Sequence, residues 1–206
     1  MTALGVDPGD VEGAAVLARP EGPGWAVDLV FLWWRATVRS APVHRVAWAA
    51  HDGPMQTAVG VNGPCRLGQL LAARLARADY PADVVAVEDT FVGKSARTAI
   101  LSSRWAGGFA AGLEVGLTTR APVLWTPASE WRPEAFGVPP FTRRDAAKAA
   151  TLAALPPAVE ARVRAVCEQA ARPLVHAVDA AGIALWAAGL RAPSVARVTP
   201  KRRRSA

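Results

Sequence analysis

The sequence predicts one α/β domain on a mixed five-stranded sheet, an antiparallel meander first and parallel strands after it, flanked by helices. Three observations carry this reading. Within the first 34 residues, three apolar runs are separated by Pro- and Gly-rich turns, the spacing of a meander. Val84-Val85-Ala86-Val87 is a short continuous apolar run rich in β-branched residues, as in a strand covered on both faces. Helical stripes lie on either side of that run, so the later strands are joined by helical crossovers and run parallel. With 206 residues the chain is long enough for one full core. Residues 1–192 are expected to form this domain, and 193–206 a basic, disordered tail.

Taken in order, Leu4 to Asp7 is the first strand and is stopped by the turn Pro8-Gly9-Asp10; Gly13 to Arg19 is the second. Pro20-Glu21-Gly22-Pro23-Gly24 is dense turn chemistry, and Ala26 to Trp34 is the third strand. From Arg35 to Gly63 the pattern is weak, and the Gly53-Pro54 and Gly60 to Gly63 clusters suggest loop. His44 and His51 there have no partner at ligand spacing and are assigned no chemistry. Leu67, Leu70, Leu71 and Leu75 recur at helical spacing and predict a helix over Cys65 to Ala78.

After the strand at 84–88, Ser95 is a candidate N-cap for a long helix from Ala96 to about Val115. Gly107, Gly108 and Gly112 inside it suit close packing, against the sheet or against a partner helix. Ala121 to Thr126 is the fifth strand, and Pro127 to Phe136 a short helical or irregular connection. Thr142 is expected to cap a helix over Arg143 to Leu155. Pro156-Pro157 ends it, and Ala158 to Ala171 is a further helix with Val159, Val163, Val166 and Cys167 on one stripe. A last helix begins near Pro173.

The net charge of +7 favours an anionic partner, nucleic acid first. It is concentrated late: from Arg143 onward there are 12 Arg and Lys against four acids, including the run Lys201-Arg202-Arg203-Arg204. Such a run neutralises phosphates without reading sequence. Two distant cysteines without metal spacing read as free thiols of a reducing compartment. The opening Met1 to Leu4 carries no basic region ahead of an apolar one, and no apolar run approaches about 18 residues. A soluble, cytoplasmic protein without a membrane partner is therefore expected.

Candidate chemistry begins at strand ends. Asp7 and Glu88-Asp89 each close an apolar strand at its carboxyl edge, where open α/β sheets place their sites. His176 and Asp179, three apart, share a face of the otherwise apolar last helix. Polar groups so placed are costly unless paired, with each other, with a cap or with a ligand.

The ordered set Gly5-Val6-Asp7-Pro8-Gly9, Val87-Glu88-Asp89-Thr90-Phe91-Val92-Gly93-Lys94-Ser95-Ala96 and His176-Ala177-Val178-Asp179-Ala180-Ala181-Gly182-Ile183-Ala184 closely resembles the RuvC family of Holliday junction resolvases. The first motif alone also opens the actin-like ATPases, but a second Gly-rich phosphate loop is missing here. The resemblance covers about two-thirds of the chain and implies a ribonuclease H-like fold. It further implies endonuclease activity on four-way DNA junctions, two divalent ions, Mg²⁺ or Mn²⁺, and a homodimer. Asp7, Glu88, His176 and Asp179 would be the catalytic and metal-binding set. The chain departs from the family in a longer stretch before Glu88 and an added helix over 158–171. Position 176 is His where many members carry a carboxylate, although a His-x-x-Asp version occurs.

Phosphodiester hydrolysis needs an in-line water, charge neutralisation on the phosphate and a stabilised leaving oxygen, and two hard cations on carboxylates supply these. Asp7 would bridge the ions, with Glu88 and Asp179 flanking. His176 would either ligate, shifting preference toward Mn²⁺, or carry a proton. The resemblance makes Phe91 an aromatic that reaches the opened junction centre, and Lys94 would face phosphates. Arg143, Arg144 and Lys148 open one helix, a phosphate-binding arrangement; either Arg144 or Lys148 would stand near the scissile phosphate. A two-fold junction calls for a C₂ dimer, with the Gly107, Gly108 and Gly112 row as candidate interface. The other readings are a nuclease for other branched DNA and a junction-binding protein that does not cut.

Overall fold

A computed structural model describes residues 1–51, 53–77, 81–89, 96–117 and 121–191. Its strands are β1 (Ala3–Asp7), β2 (Glu12–Glu21), β3 (Gly24–Val38), β4 (Ala41–Ala50), β5 (Gln56–Val61), β6 (Val84–Glu88) and β7 (Val123–Thr126). Its helices are α1 (Gly63–Arg77), α2 (Ala96–Gly116), α3 (Ala128–Phe136), α4 (Arg144–Ala154), α5 (Pro157–Gln169) and α6 (Val175–Ala187). All seven strands share one sheet in the order β5-β4-β3-β2-β1-β6-β7. β1, β2 and β3 pair antiparallel, and β6 and β7 add parallel strands on the other side of β1. The predicted meander followed by parallel strands is present.

The predicted count of five strands is corrected to seven among the described residues, and the two extra strands lie in the 35–63 stretch, whose pattern is too weak to assign. β3 continues to Val38, turns through Arg39 and Ser40, and returns as β4 in register from Val38↔Ala41 to Leu29↔Ala50. Both turn residues have positive φ, 49° and 65°, the conformation of a two-residue hairpin turn that usually carries Gly, Asn or Asp. Without those residues the turn gave no signal. β5 is mostly exposed, so it lacks the half-apolar alternation of a buried strand.

Helices cover both faces of the sheet. On one, Leu67, Leu71, Leu75, Phe109 and Leu113 of α1 and α2 pack on Leu4, Val6, Leu17, Phe31, Trp33, Val85 and Val87. On the other, Val159, Val163, Val166 and Cys167 of α5 join Ala177, Ala181 and Leu185 of α6 over Val16, Val30 and Leu32. The stripe predicted for the helix after Pro156-Pro157 is the buried one. Both cysteines are free thiols, Cys65 exposed and Cys167 buried.

Two more expectations change. Thr142 does not cap α4: the residue before the helix is Arg143, and no side chain caps that end. The glycine row serves contacts within the chain. A Cβ on Gly112 would lie 2.0 Å from the Cys65 carbonyl oxygen, and one on Gly108 would lie 2.9 Å from the Pro64 ring, so these residues admit α1. Only Gly107 of the three faces open space. Among the described residues no helix is long and apolar enough to cross a membrane.

Candidate metal centre

The register of the parallel pair sets the first two carboxylates side by side. Val6 is opposite Val87, and the next residues, Asp7 and Glu88, end β1 and β6 at the same sheet edge. The third arrives on α6, which lies directly on β1 because Gly5 has no side chain. A Cβ there would meet the Ala180 carbonyl oxygen at 2.1 Å and the Ala184 nitrogen at 2.3 Å, so any larger residue would push the helix away. Asp179 precedes Ala180 and is brought to the same edge, with only 1% of its surface exposed. One oxygen each of Asp7, Glu88 and Asp179 lies within 4.8 Å of the others.

Around this set the described residues place two cations and an imidazole. Lys148 Nζ, one turn into α4, lies 2.8 Å from Asp179 Oδ2. Arg132 Nη2, on α3, donates to Asp179 Oδ1 at 2.7 Å and lies 3.8 Å from Glu88 Oε1. His176 Nδ1 is 2.6 Å from Asp7 Oδ2. His176 and Asp179 therefore do not satisfy each other; each has its partners on other elements.

The electrostatics follow from crowding. Glu88 is pushed up to about 8, first by burial, then by the charges of Asp7 and Asp179, with Arg132 and Lys148 acting in the opposite sense. For His176, burial alone would lower the value, but the hydrogen bond and charge of Asp7 outweigh it and the net shift is upward. Three converging carboxylates, one of them driven toward its neutral form, suit a hard divalent cation with oxygen ligands. Asp7, Glu88 and Asp179 are the residues that would hold it. Both oxygens of Asp179 are engaged, by Lys148 and Arg132, so to hold a cation with both it would have to release one of them.

Lys148 thus stands at the carboxylates, whereas Arg143 and Arg144, at the start of the same helix, are exposed and make no described contact with them. Of Arg144 and Lys148, the two candidates for the scissile phosphate, Lys148 alone makes a described contact with the carboxylates. His176 borders the set through Asp7 and is not one of the three grouped ligands. Phe91 and Lys94, with Ser95 and the tail 193–206, lie outside the described residues.

Arg132 was missed by sequence reasoning. It sits in a helix of low amphipathicity interrupted by Pro133, and a lone Arg in such a stretch carries no spacing signal. Its position comes from packing: Trp131, Ala86 and Ile183 form a small buried cluster, and the Trp131 ring fills the space left open at Gly182 of α6. The Arg132 guanidinium also stacks 4.5 Å from the centre of the Trp131 ring.

Two solved RuvC structures overlap this chain. The T. thermophilus RuvC complex with a Holliday junction substrate aligns over 90% of this chain and 91% of its own, at 16% identity and a TM-score of 0.48. The Thermus thermophilus RuvC structure aligns over 90% and 92%, at 17% identity and a TM-score of 0.45. No protein-family model and no curated protein matches the chain. At that overlap and identity, the likeness adds no weight to a reading of function, which rests on the residues themselves.

Proposed function

We propose that this chain is a metal-dependent, structure-selective endonuclease that resolves four-way DNA junctions by paired phosphodiester hydrolysis. The observation that carries the reading is the convergence of Asp7, Glu88 and Asp179 within 4.8 Å at one sheet edge, from three separate motifs. A protein that only binds DNA gains nothing from carboxylates aimed at phosphates. Asp7, Glu88 and Asp179 would hold divalent cations, two in this reading and Mg²⁺ or Mn²⁺, which would supply Lewis-acid polarisation of the phosphodiester and of the attacking water.

The chain's own groups then have distinct tasks. Lys148, released from Asp179, carries positive charge to the phosphate as negative charge develops. With Nδ1 2.6 Å from Asp7, His176 would take the water proton on Nε2, and the upward shift that Asp7 imposes makes the imidazole a stronger acceptor for it. Water oxygen joins phosphorus, the bond to the 3′ oxygen breaks, and the 3′ oxygen takes up a proton. Asp179 is held in place by Arg132 throughout. Arg143, Arg144, Phe91 and Lys94 belong to the DNA-contact surface in this reading, and the basic tail adds contacts that do not depend on sequence.

Cutting two strands of a two-fold junction calls for two sites in a C₂ dimer. With Gly108 and Gly112 used inside the chain, the outer face of α2 is the proposed contact, where Ile100 and Leu101 are more than half exposed. The test is cleavage of a labelled four-way junction with Mg²⁺ and with Mn²⁺, beside three-way, flap and linear duplexes, with Asp7→Asn as control. Paired symmetric nicks on the four-way junction that vanish in the variant are expected. Equal cleavage of flaps and three-way forms would make this a nuclease of broader branched DNA, and tight binding without cleavage in either metal would overturn the enzyme reading. Mn²⁺ is expected to support activity at least as well as Mg²⁺ if His176 ligates, and a clear Mg²⁺ preference would assign it the proton instead.

A further inference from the structure

A pocket of about 420 Å³ lies on the α1–α2 face of the sheet, opposite the face that carries the carboxylates, and takes no part in the chemistry above; Arg35, Pro42, His44, Asn62, Gly63 and Trp105 line it. It is built by the hairpin the sequence did not announce. Arg35 of β3 is paired with His44 of β4 at the end where β1 delivers Asp7, and Val61, the last residue of β5, leads there into the N-terminus of α1. The pocket also shares the turn after β1 with the candidate site. Arg35 Nη2 is 2.7 Å from Asp10 Oδ2, and His44 Nε2 donates to the Asp10 carbonyl oxygen at 2.9 Å.

Three features of its wall point to one class of ligand. The N-terminus of the 15-residue α1 opens on it, with no acid in the first turn to occupy the free N–H groups, and Arg35 stands beside it. His44 is buried, 6% exposed, and with Nε2 used its Nδ1 is left as an acceptor without a partner among the described residues. Trp105 Nε1–H is a buried donor without a partner among the described residues, on a ring 4.9 Å from the His44 ring. Each orphaned group costs free energy that a ligand of the right pattern would return. A phosphate answers the helix end and Arg35; a base answers the other two, since its edge offers a donor and an acceptor and its face stacks on indole.

We propose that this pocket is a nucleotide subsite, which takes one unpaired nucleotide of the DNA substrate with its phosphate on the α1 N-terminus and Arg35 and its base against Trp105 and His44. In this proposal the Trp105 ring, 4.9 Å from that of His44, would turn aside as the base enters and so expose the two buried atoms. The proposal deepens the junction-nuclease reading, whose substrate it would share, and would hold the DNA at the same end of the sheet as the cutting site, on the opposite face.

The test is titration calorimetry of the full chain in EDTA with a short oligothymidylate and, separately, with inorganic phosphate. Asn62→Asp is the main variant. It places a negative charge at a helix N-terminus, which favours the fold but repels a bound phosphate. Binding of the oligonucleotide is expected to weaken about tenfold in Asn62→Asp, with the thermal midpoint held or raised, and by a similar factor in Trp105→Phe. Unchanged affinity in both variants would overturn the proposal, and phosphate competing as well as the oligonucleotide would reduce the site to a free-anion site. Because no metal is present, the outcome is separate from cleavage. Pocket binding without junction cutting would remove the enzyme reading alone, whereas cutting with unaffected binding in both variants would remove the pocket alone.

Discussion

Asp179 is a nearly buried carboxylate held between two cations, and that arrangement has consequences for stability as well as chemistry. Removing one partner of a buried pair costs about 3 kcal/mol or more, because the other charge stays behind. Arg132→Gln is therefore expected to lower unfolding free energy by roughly that amount in EDTA, with part of the loss recovered on adding Mg²⁺. Urea denaturation in the two buffers checks it, and a change within about 0.5 kcal/mol would show that Lys148 alone suffices. Glu88 acts in the opposite sense. Its folded value of about 8 lies above the ordinary 4.5, so between those pH values the folded chain binds more protons than the unfolded one. Stability in EDTA must then fall as pH rises through that window. His176, also shifted upward, adds a contribution present below its ordinary 6.5 and lost as pH rises through its folded value. Glu88→Gln is expected to flatten the profile and to be more stable than the wild type at pH near 8.5; denaturation at pH near 5.5 and 8.5 would expose a wrong sign at once.

At the level of elements, α1 against α2 and α6 against β1 are close contacts made by missing side chains. Gly112→Ala would force the helices apart at the Cys65 carbonyl, at a cost of about 1–3 kcal/mol. Gly107→Ala, five residues away on the open side, is expected to stabilise α2 by up to about 1 kcal/mol. Thermal melts of the two variants should move in opposite directions. If Gly107→Ala destabilises instead while Gly112→Ala does not, the packing of α2 has been assigned to the wrong face. The same reasoning explains why Gly5 is needed: a side chain on β1 there would displace α6 and carry Asp179 away from Asp7 and Glu88.

For the whole molecule, the candidate centre ties together the two ends of the domain, since the His176–Asp7 contact alone spans 169 residues. An ion that binds only the folded arrangement stabilises the whole fold, by about 2.7 kcal/mol at a hundredfold excess over its dissociation constant. Mg²⁺ or Mn²⁺ is thus expected to raise the melting temperature, and EDTA to reverse it. The rise should be larger near pH 8.5 than near 5.5, because protons compete for Glu88. Asp179→Asn should abolish the effect. An unchanged melting temperature in the wild type at millimolar metal would mean that the carboxylates do not form a metal site.

How much of this was legible follows from which interactions are local. β1, β6 and α6 were readable because each carries its own signal in consecutive residues: a β-branched run closed by an acid, or an apolar helix with two polar residues on one face. Their ordered motifs named Asp7, Glu88 and Asp179 as candidates. Chain pattern could not say that Lys148, and not Arg144, reaches Asp179, because that depends on how α4 is rotated against α6. Arg132 was invisible for the same reason, its place being set by Trp131 against Gly182. The hairpin of β3 and β4 turns on Arg39 and Ser40, whose positive φ is stabilised by the pairing of the strands and not by the turn residues themselves. By itself, then, the sequence determined the elements and the acids at their ends, since periodicity and strand termination are local properties. Tertiary structure alone decided which cations neutralise those acids, which glycines bring the elements together and where the pocket lies, because each depends on surfaces distant in the chain.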